Sequence, residues 1–484
     1  MLGDRNTKFF QTIVKQRRAR SRILQIKTSE GIISEDPKTI DDTICNHFRL
    51  SFYNPSSRSH SSILEELNCL PIPKLSAQQL AHLNKPITNE EIEDTIFQLG
   101  PHKAPGLDGL PAFFYQEFWN TVKREIFNIV NAFFHSSFLL KTLNHTFITL
   151  IPKIHFPEEV SHFRPISLCN VIYKIISKLM VNRLKPLIDS LITPLQNAFI
   201  QGRNIADNIL IRHEIFYYLG KKRGRKKCFG ALKIDMFKAY DRVDWNFLKA
   251  VLIAMNFNDS WVNWIMGCVT SVQYTLLING NISQSSTPGK GLRQGDPLSP
   301  YLFLFCANIL SLALMKAENQ QRIRGVKIGK NGIPFTHLFF ANDALLFFQH
   351  DNQSLIHIQD TLNWYCSLPG QSINFSKSNL YCTPNMVEGM KVSLAQILGV
   401  NLVQSPNKYL GLNFMLRGRR IADFQFLAEK MSYKLPGWKE KLLSQASRTT
   451  LIKSTLQSFP IYTFNCFKVL EAICNKMDTI TRAF

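Results

Sequence analysis

Residues 228–235 read CFGALKID, and residues 337–348 read HLFFANDALLFF. The first is a mostly apolar run, with Phe229, Ala231, Leu232 and Ile234, and it ends on Asp235. A short apolar run bounded by polar residues predicts a buried strand. In the second, two apolar runs flank the polar pair Asn342-Asp343, which predicts a β-hairpin whose turn carries the acidic group. If the two strands are neighbours, Asp235 and that turn face each other. Hard oxygen ligands so arranged can hold two Mg2+ ions about 3.5–4 Å apart, the equipment of nucleotidyl transfer. Taken singly, each residue also has an ordinary reading, because Asp and Asn favour turns for local reasons. The decision therefore rests on the surrounding sequence.

The chain has 484 residues, 45% of them hydrophobic and 11% aromatic, which excludes disorder over most of its length. That length corresponds to roughly two to four domains or subdomains. The formal net charge is +22, the balance expected of a protein that meets a polyanion. Ten Cys occur without a CxxC pair or zinc-type spacing, and most lie in apolar runs, so they read as reduced core thiols of an intracellular protein. The segment MLGDRNTKFF carries charges where a signal peptide needs an apolar stretch. The longest apolar run, Tyr301 to Met315, is shorter than the ~20 residues of a membrane helix and contains Asn308. The expectation is a soluble protein with no membrane partner, in nucleus or cytoplasm, without an identified targeting signal.

Residues 1–75 form a basic N-terminal extension, with Lys15, Arg17, Arg18, Arg20 and Arg22 close together and a Ser- and Pro-rich stretch from about 52. Thr88 and Glu91 have capping-box spacing, Ile92, Ile96 and Leu99 share one helical face, and Gly100 is the expected stop. HKAPGLDGLP is a loop by composition, followed by a long amphipathic stretch over about 112–138. KKRGRKK, residues 221–227, has six positive charges in seven positions and must be a surface loop or tip. Helical periodicity returns from about 422, and the chain stops at Phe484 without a closing signal, as if cut.

IDMFKAYDRVDW (234–245), GKGLRQGDPLSPYLF (289–303) and FANDALLFF (340–348) occur in that order. Before them come LGDRNTKFF (2–10), HKAPGLDGL (102–110), LIPK (150–153), FRPISL (163–168) and QNAFIQGRNIADN (196–208); after them come Lys377-Ser378, Tyr409-Leu410-Gly411-Leu412 and GWKEKLLSQASRTTLIKS (437–454). This series resembles the reverse transcriptase region of LINE-type (non-LTR) retrotransposons, in wording most like plant members, over nearly the whole chain. The resemblance implies an α+β right-hand polymerase: fingers over 76–228, a palm with an antiparallel sheet over 229–420, and a truncated helical thumb over 421–484. It also implies a fragment lacking the endonuclease and C-terminal domains of full-length elements.

Carried over position by position, the resemblance makes Asp235 a ligand of both metals, with Asp343 a more peripheral one. Tyr240 would be the steric gate under the sugar. Lys153 and Arg164 would hold the incoming triphosphate, Gln294 and Gly295 would lie beside the nascent base pair, and Lys377 near the leaving pyrophosphate. Tyr409 and Gly411 belong to a turn like the primer-gripping one. Arg203 and the cations Lys221, Lys222, Arg223, Arg225, Lys226 and Lys227 are candidates for nucleic-acid contact; a solvated tip is the plainer reading of the last six. Asp241 and Asp244 are expected to be structural or solvent-facing. The partners implied are an RNA template, a DNA primer and deoxynucleoside triphosphates; nothing in the sequence speaks to oligomeric state.

One position departs from the pattern. Asn342 stands where the family has the first Asp of F-A-D-D, a principal metal ligand. An amide oxygen can ligate Mg2+ but brings no negative charge, so both ions are expected to be held less tightly and the activity of this copy to be impaired. The competing reading is a non-catalytic, nucleic-acid-binding relic of such an element. A maturase- or telomerase-like relative is disfavoured by the wording of Phe163-Arg164-Pro165-Ile166 and Lys238-Ala239-Tyr240-Asp241.

Overall fold

The computed structural model describes residues 8–54, 58–224, 227–329, 332–368, 370–404, 409–412, 421–435 and 443–484. Helices and sheets are mixed along the chain, an α+β composition. The described residues fall into two compact units, each assembled from three stretches: Met1–Thr193, Met236–Lys316 and Thr361–Ser372 in the first, Pro194–Asp235, Ala317–Asp360 and Ile373–Phe484 in the second. These units cut across the four consecutive segments read from the sequence.

In the first unit a four-stranded sheet runs in the order Phe163–Cys169, His145–Pro152, Gln273–Ile278, Asn281–Ile282. Along His145–Pro152, Thr146, Ile148 and Leu150 are buried in strict alternation, as a half-buried strand requires. The helix Pro37–Phe52 covers this sheet because Ile40, Ile44, Phe48 and Phe52 recur every fourth residue and form one apolar stripe. Asp36 starts that helix by accepting the Thr39 N–H at 2.8 Å, with Pro37 in the first turn.

The Thr88 and Glu91 capping box forms, with both reciprocal bonds at 3.2 Å. The helix ends at Phe97, before Leu99 and Gly100. Gln116 Nε2 donates to Ile96 O in its last turn and to Leu99 O just beyond it, so no glycine cap is needed. The amphipathic stretch after it divides at Phe118 into Ala112–Glu117 and Trp119–Ser136.

The apolar run at Tyr301–Met315 lies inside a longer helix, Ser299–Asn319, of 21 residues. By length and composition it could cross a membrane, contrary to the sequence expectation, but most of it is buried inside the protein. Asn308 is paired: its Oδ1 accepts from Thr193 N at 3.0 Å, and its Nδ2 donates to Leu191 O at 3.1 Å. It is a core helix with its polar residue satisfied. Cys169, Cys268, Cys306, Cys382 and Cys466 are buried and all ten thiols are free, though Cys69 is exposed.

In the second unit a five-stranded sheet runs in the order His337–Phe340, Asp343–Gln349, Phe229–Asp235, Asn379–Cys382, Asn401–Leu402. All pairings are antiparallel except the last, which is parallel. Phe229, Ala231, Leu345, Phe347 and Tyr381 pack on Ile215, Phe216 and Leu219 of the helix Ile205–Gly220. A separate core joins Phe424, Leu427 and Met431 of the helix Ile421–Lys434 to Ile473 and Met477 of Glu471–Ala483.

Candidate metal and nucleotide sites

The strand of Phe229–Asp235 and the strand of Asp343–Gln349 are direct neighbours, and their ladder pairs Asp235 with Asp343. Residues directly opposite in an antiparallel pair point to the same face, with Cβ atoms about 4.5–5.5 Å apart. Two carboxyl groups therefore stand side by side at the end of a sheet whose same face, farther along, is apolar core. The Asp235 backbone is fixed from the other side: its N–H donates to Ser378 Oγ at 3.2 Å and its C=O accepts from Asn374 N at 2.8 Å. The turn that makes those bonds carries exposed Lys377.

The hairpin loop has two residues, Ala341 and Asn342, since Phe340 pairs with Asp343. Only Asn342 of the expected polar pair is in the turn; Asp343 is already ladder. Ala341 takes φ 54°, the left-handed region that two-residue hairpins need. Its backbone is gripped by Gln196, which accepts from Ala341 N at 2.9 Å and donates to Ala341 O at 3.3 Å. Gln196 opens the QNAFIQGRNIADN motif, where the sequence alone gives it no role. The signal is tertiary, a contact between residues 145 apart in sequence.

Burial raises the Asp343 carboxyl above the usual range; Lys233 opposes that and the like charge of Asp235 adds to it. A bound cation would favour the ionised form of the Asp343 carboxyl. Two carboxylates, with Asn342 in the turn just before Asp343, offer hard oxygen that suits Mg2+, with one charge fewer than three carboxylates would give. Among the described residues no group of three or more His, Cys, Asp or Glu comes together to hold a metal.

In the second unit, Tyr409-Leu410-Gly411-Leu412 is a tight turn closed by Tyr409 N to Leu412 O at 2.9 Å and Leu412 N to Tyr409 O at 3.0 Å. Leu410 and Gly411 both have positive φ, 47° and 82°, as in a type I′ turn. Tyr409 is buried under Arg212, whose guanidinium is 5.5 Å from the ring centre. Arg203 Nη1 donates to Gln196 O at 2.7 Å. Of the basic run, Lys221 and Lys222 follow the C-terminus of Ile205–Gly220 and lie over the rings of Tyr217 and Tyr218, at 4.1 and 4.3 Å. Arg223 donates to Gly220 O, and Lys227 is exposed; Arg225 and Lys226 lie outside the described residues.

In the first unit, Lys153 and Arg164 are exposed at one end of a strand pair. Ile151 pairs with Arg164, and Lys153 N donates to His162 O at 2.8 Å, which puts the two cations diagonally on one face. Lys153 Nζ also donates to Ser161 O at 2.9 Å. Tyr240 stacks on Phe303 with ring centres 4.6 Å apart. Next to it, Asp241 accepts from Gln294 Nε2 at 3.3 Å. Gly295 has φ 117°, and a Cβ there would lie 2.9 Å from Ser167 O, so only glycine allows this turn to approach the strand of Phe163–Cys169. Tyr240, Gln294 and Gly295 thus share one neighbourhood. Asp241 and Asp244 are structural but buried, not solvent-facing. Asp244 caps the helix Trp245–Ala254 by accepting from Asn246 N and Phe247 N.

The sequence gives His47 no role, and Lys238 only a place in a motif. Lys238 Nζ lies 2.8 Å from His47 Nε2, and burial together with that ammonium holds the imidazole down at about 4. A neutral His47 accepts the bond and orients Lys238.

Residues 151–414 match the family described as reverse transcriptase (RNA-dependent DNA polymerase). The chain is 27% identical over 481 residues to the transposon TX1 uncharacterized 149 kDa protein of Xenopus laevis, covering 98% of this chain and 36% of that protein. It is 27% identical over 298 residues to a Pol polyprotein from the type-1 retrotransposable element R2 of Popillia japonica, covering 61% of this chain and 39% of that one. Over 68 residues, 14% of this chain, it is 46% identical to an uncharacterized mitochondrial protein of Arabidopsis thaliana. The chain therefore spans well under half the length of the first two relatives.

Proposed function

From the premise that this chain belongs to the reverse transcriptase (RNA-dependent DNA polymerase) family, in its non-LTR retrotransposon branch, we propose that it carries an RNA-directed DNA polymerase site weakened by Asn342. The observation that carries the reading is the ladder pair Asp235 and Asp343. Members of the family use divalent metals. In this chain Asp235 and Asp343 would hold two Mg2+ ions, with the Asn342 amide in the place of a third carboxylate. The ions, when bound, supply Lewis-acid charge to the reacting oxygens.

Other residues of the chain are assigned the positioning. Lys153 and Arg164 present two exposed cations on one face to the triphosphate, Arg in bidentate fashion. Tyr240, held flat on Phe303, limits what the sugar can carry. The Gln294-Gly295 turn meets the base pair, and Lys377 takes the charge of departing pyrophosphate. The primer 3′ oxygen attacks the α-phosphorus, the bond to pyrophosphate breaks, and the primer grows by one nucleotide. RNA template, DNA primer and deoxynucleoside triphosphates are the substrates. The right-hand division into fingers, palm and thumb belongs to the same proposal, as does an intracellular location.

The test is labelled-primer extension on an RNA template with ample Mg2+. The chain as it stands is expected to extend weakly, Asn342→Asp to extend far better, and Asp235→Asn in that background to abolish extension. Strong extension with Asn342 in place would show that the position needs no carboxylate.

A further inference from the structure

We propose that Gln196 is a positioning residue for the metal-bearing hairpin: its side-chain amide locks the backbone of Ala341 and so sets where Asn342 and Asp343 stand beside Asp235. The proposal deepens the function argued above and rests on it. Gln196 is completely buried. Its Oε1 accepts from Ala341 N at 2.9 Å and from Ala198 N at 3.2 Å, while its Nε2 donates to Ala341 O at 3.3 Å. One side chain thus takes both backbone groups of the first loop residue, groups that the hairpin ladder does not pair.

Ala341 needs a hold of this kind. At φ 54° a residue with a Cβ is strained by roughly 1–2 kcal/mol, and the extended alternative would unmake the two-residue loop. The preceding strand is held from the same segment. Phe339 N donates to Leu195 O at 2.8 Å, and Phe339 O accepts from Asn197 N at 3.2 Å and from Asn208 Nδ2 at 2.9 Å. Asn197 Nδ2 also donates to Asn208 Oδ1. Leu195–Asn197 is therefore a short brace along His337–Phe340 that ends in the clamp on Ala341. A metal-binding carboxylate has to be held within about 0.5 Å of its working place, and a loop of two residues cannot do this unaided. Outer partners that orient ligands in this way are typically worth about 10- to 100-fold in metal affinity.

The test uses the full chain carrying Asn342→Asp, with free Mn2+ followed by electron paramagnetic resonance and the Ala341 amide by hydrogen exchange. Three changes are compared: Gln196→Ala, Gln196→Met, which keeps length and volume without the bonds, and Asp235→Asn. We expect Gln196→Met to keep the melting temperature, weaken Mn2+ binding about 10- to 100-fold and speed exchange at Ala341, with Leu345 and Phe347 still protected. Gln196→Ala should do the same with some loss of stability. Gln196→Met with unchanged affinity and unchanged exchange would overturn the proposal, since volume alone would then suffice. Asp235→Asn separates the two readings. If it leaves Mn2+ binding unchanged, the two-carboxylate site itself fails; if it weakens binding and Gln196→Met does not, only the clamp fails.

Discussion

An amide and a carboxylate differ by one charge, and in the proposed metal site that charge is the one Asn342 does not supply. Metal ligation supplies several kcal/mol of transition-state stabilisation. At about 1.4 kcal/mol per factor of ten, Asn342→Asp is expected to raise primer extension roughly a thousandfold, read as kcat/KM on one template. Mn2+ should recover a little of this in the Asn342 chain, because it binds a given ligand set somewhat more tightly. A second residue makes a prediction for stability. Burial pushes the Asp241 carboxyl up to about 6, against Lys238 and the Gln294 hydrogen bond. The folded value lies above the ordinary one, so folding favours the protonated acid. That contribution is complete below about pH 4 and lost as pH rises through about 6, a change of roughly 3 kcal/mol. Asp241→Asn should therefore raise the melting temperature near neutral pH and flatten its fall between about pH 4 and about pH 6. An unchanged pH dependence would mean that Asp241 ionises at no cost.

At the scale of elements, the strand of Phe229–Asp235 and the hairpin after His337 were legible because each is an apolar run bounded by polar residues. The end of the hairpin was not. Composition places both Asn342 and Asp343 in the turn, whereas the ladder extends to Asp343 because Ala341 accepts the left-handed conformation and shortens the loop. The helix starting at Asn89 was legible at its N-terminus, where the cap is local, and not at its C-terminus, where Gln116 caps it from a different helix. Gln196 and the Lys238–His47 pair were illegible for the same reason: each acts across more than a hundred residues of chain. The Tyr409–Leu412 turn gives the test at this scale. Gly411 at φ 82° is the residue that a β-branched side chain cannot replace without strain. Gly411→Val should cost about 1–3 kcal/mol in denaturant unfolding and open the turn above buried Tyr409. Gly411→Asn, which tolerates that region, should cost much less. Equal losses for the two would place the cost in packing and not in the backbone.

Across the whole molecule, charge is the property that composition alone revealed, +22 over 484 residues, and it predicts how the chain meets nucleic acid. Binding to a primer–template should fall steeply with salt and show little sequence preference, because neutralised phosphates release counterions. The slope of log affinity against log salt counts the contacts, at about 0.9 per phosphate on a duplex and about 0.7 on a single strand. The basic run can be weighed on that scale. Lys221 and Lys222 sit over the rings of Tyr217 and Tyr218 at a helix C-terminus, where cations also balance the helix dipole. A local role of that kind accounts for two of its charges without any partner. Arg223 bonds back to Gly220 O, which leaves Lys227 as the described cation of the run with no such local tie in view. Changing Lys221, Lys222, Arg223 and Lys227 together to Gln should flatten the slope by as much as about 3–4 if all four reach phosphate. A drop near one would assign the contact to a single cation, and Lys227→Gln alone should then reproduce it. A slope that does not move would make the run a solvated helix end, and the affinity would have to come from cations elsewhere, first among them the exposed Lys15, Arg17, Arg18 and Arg22.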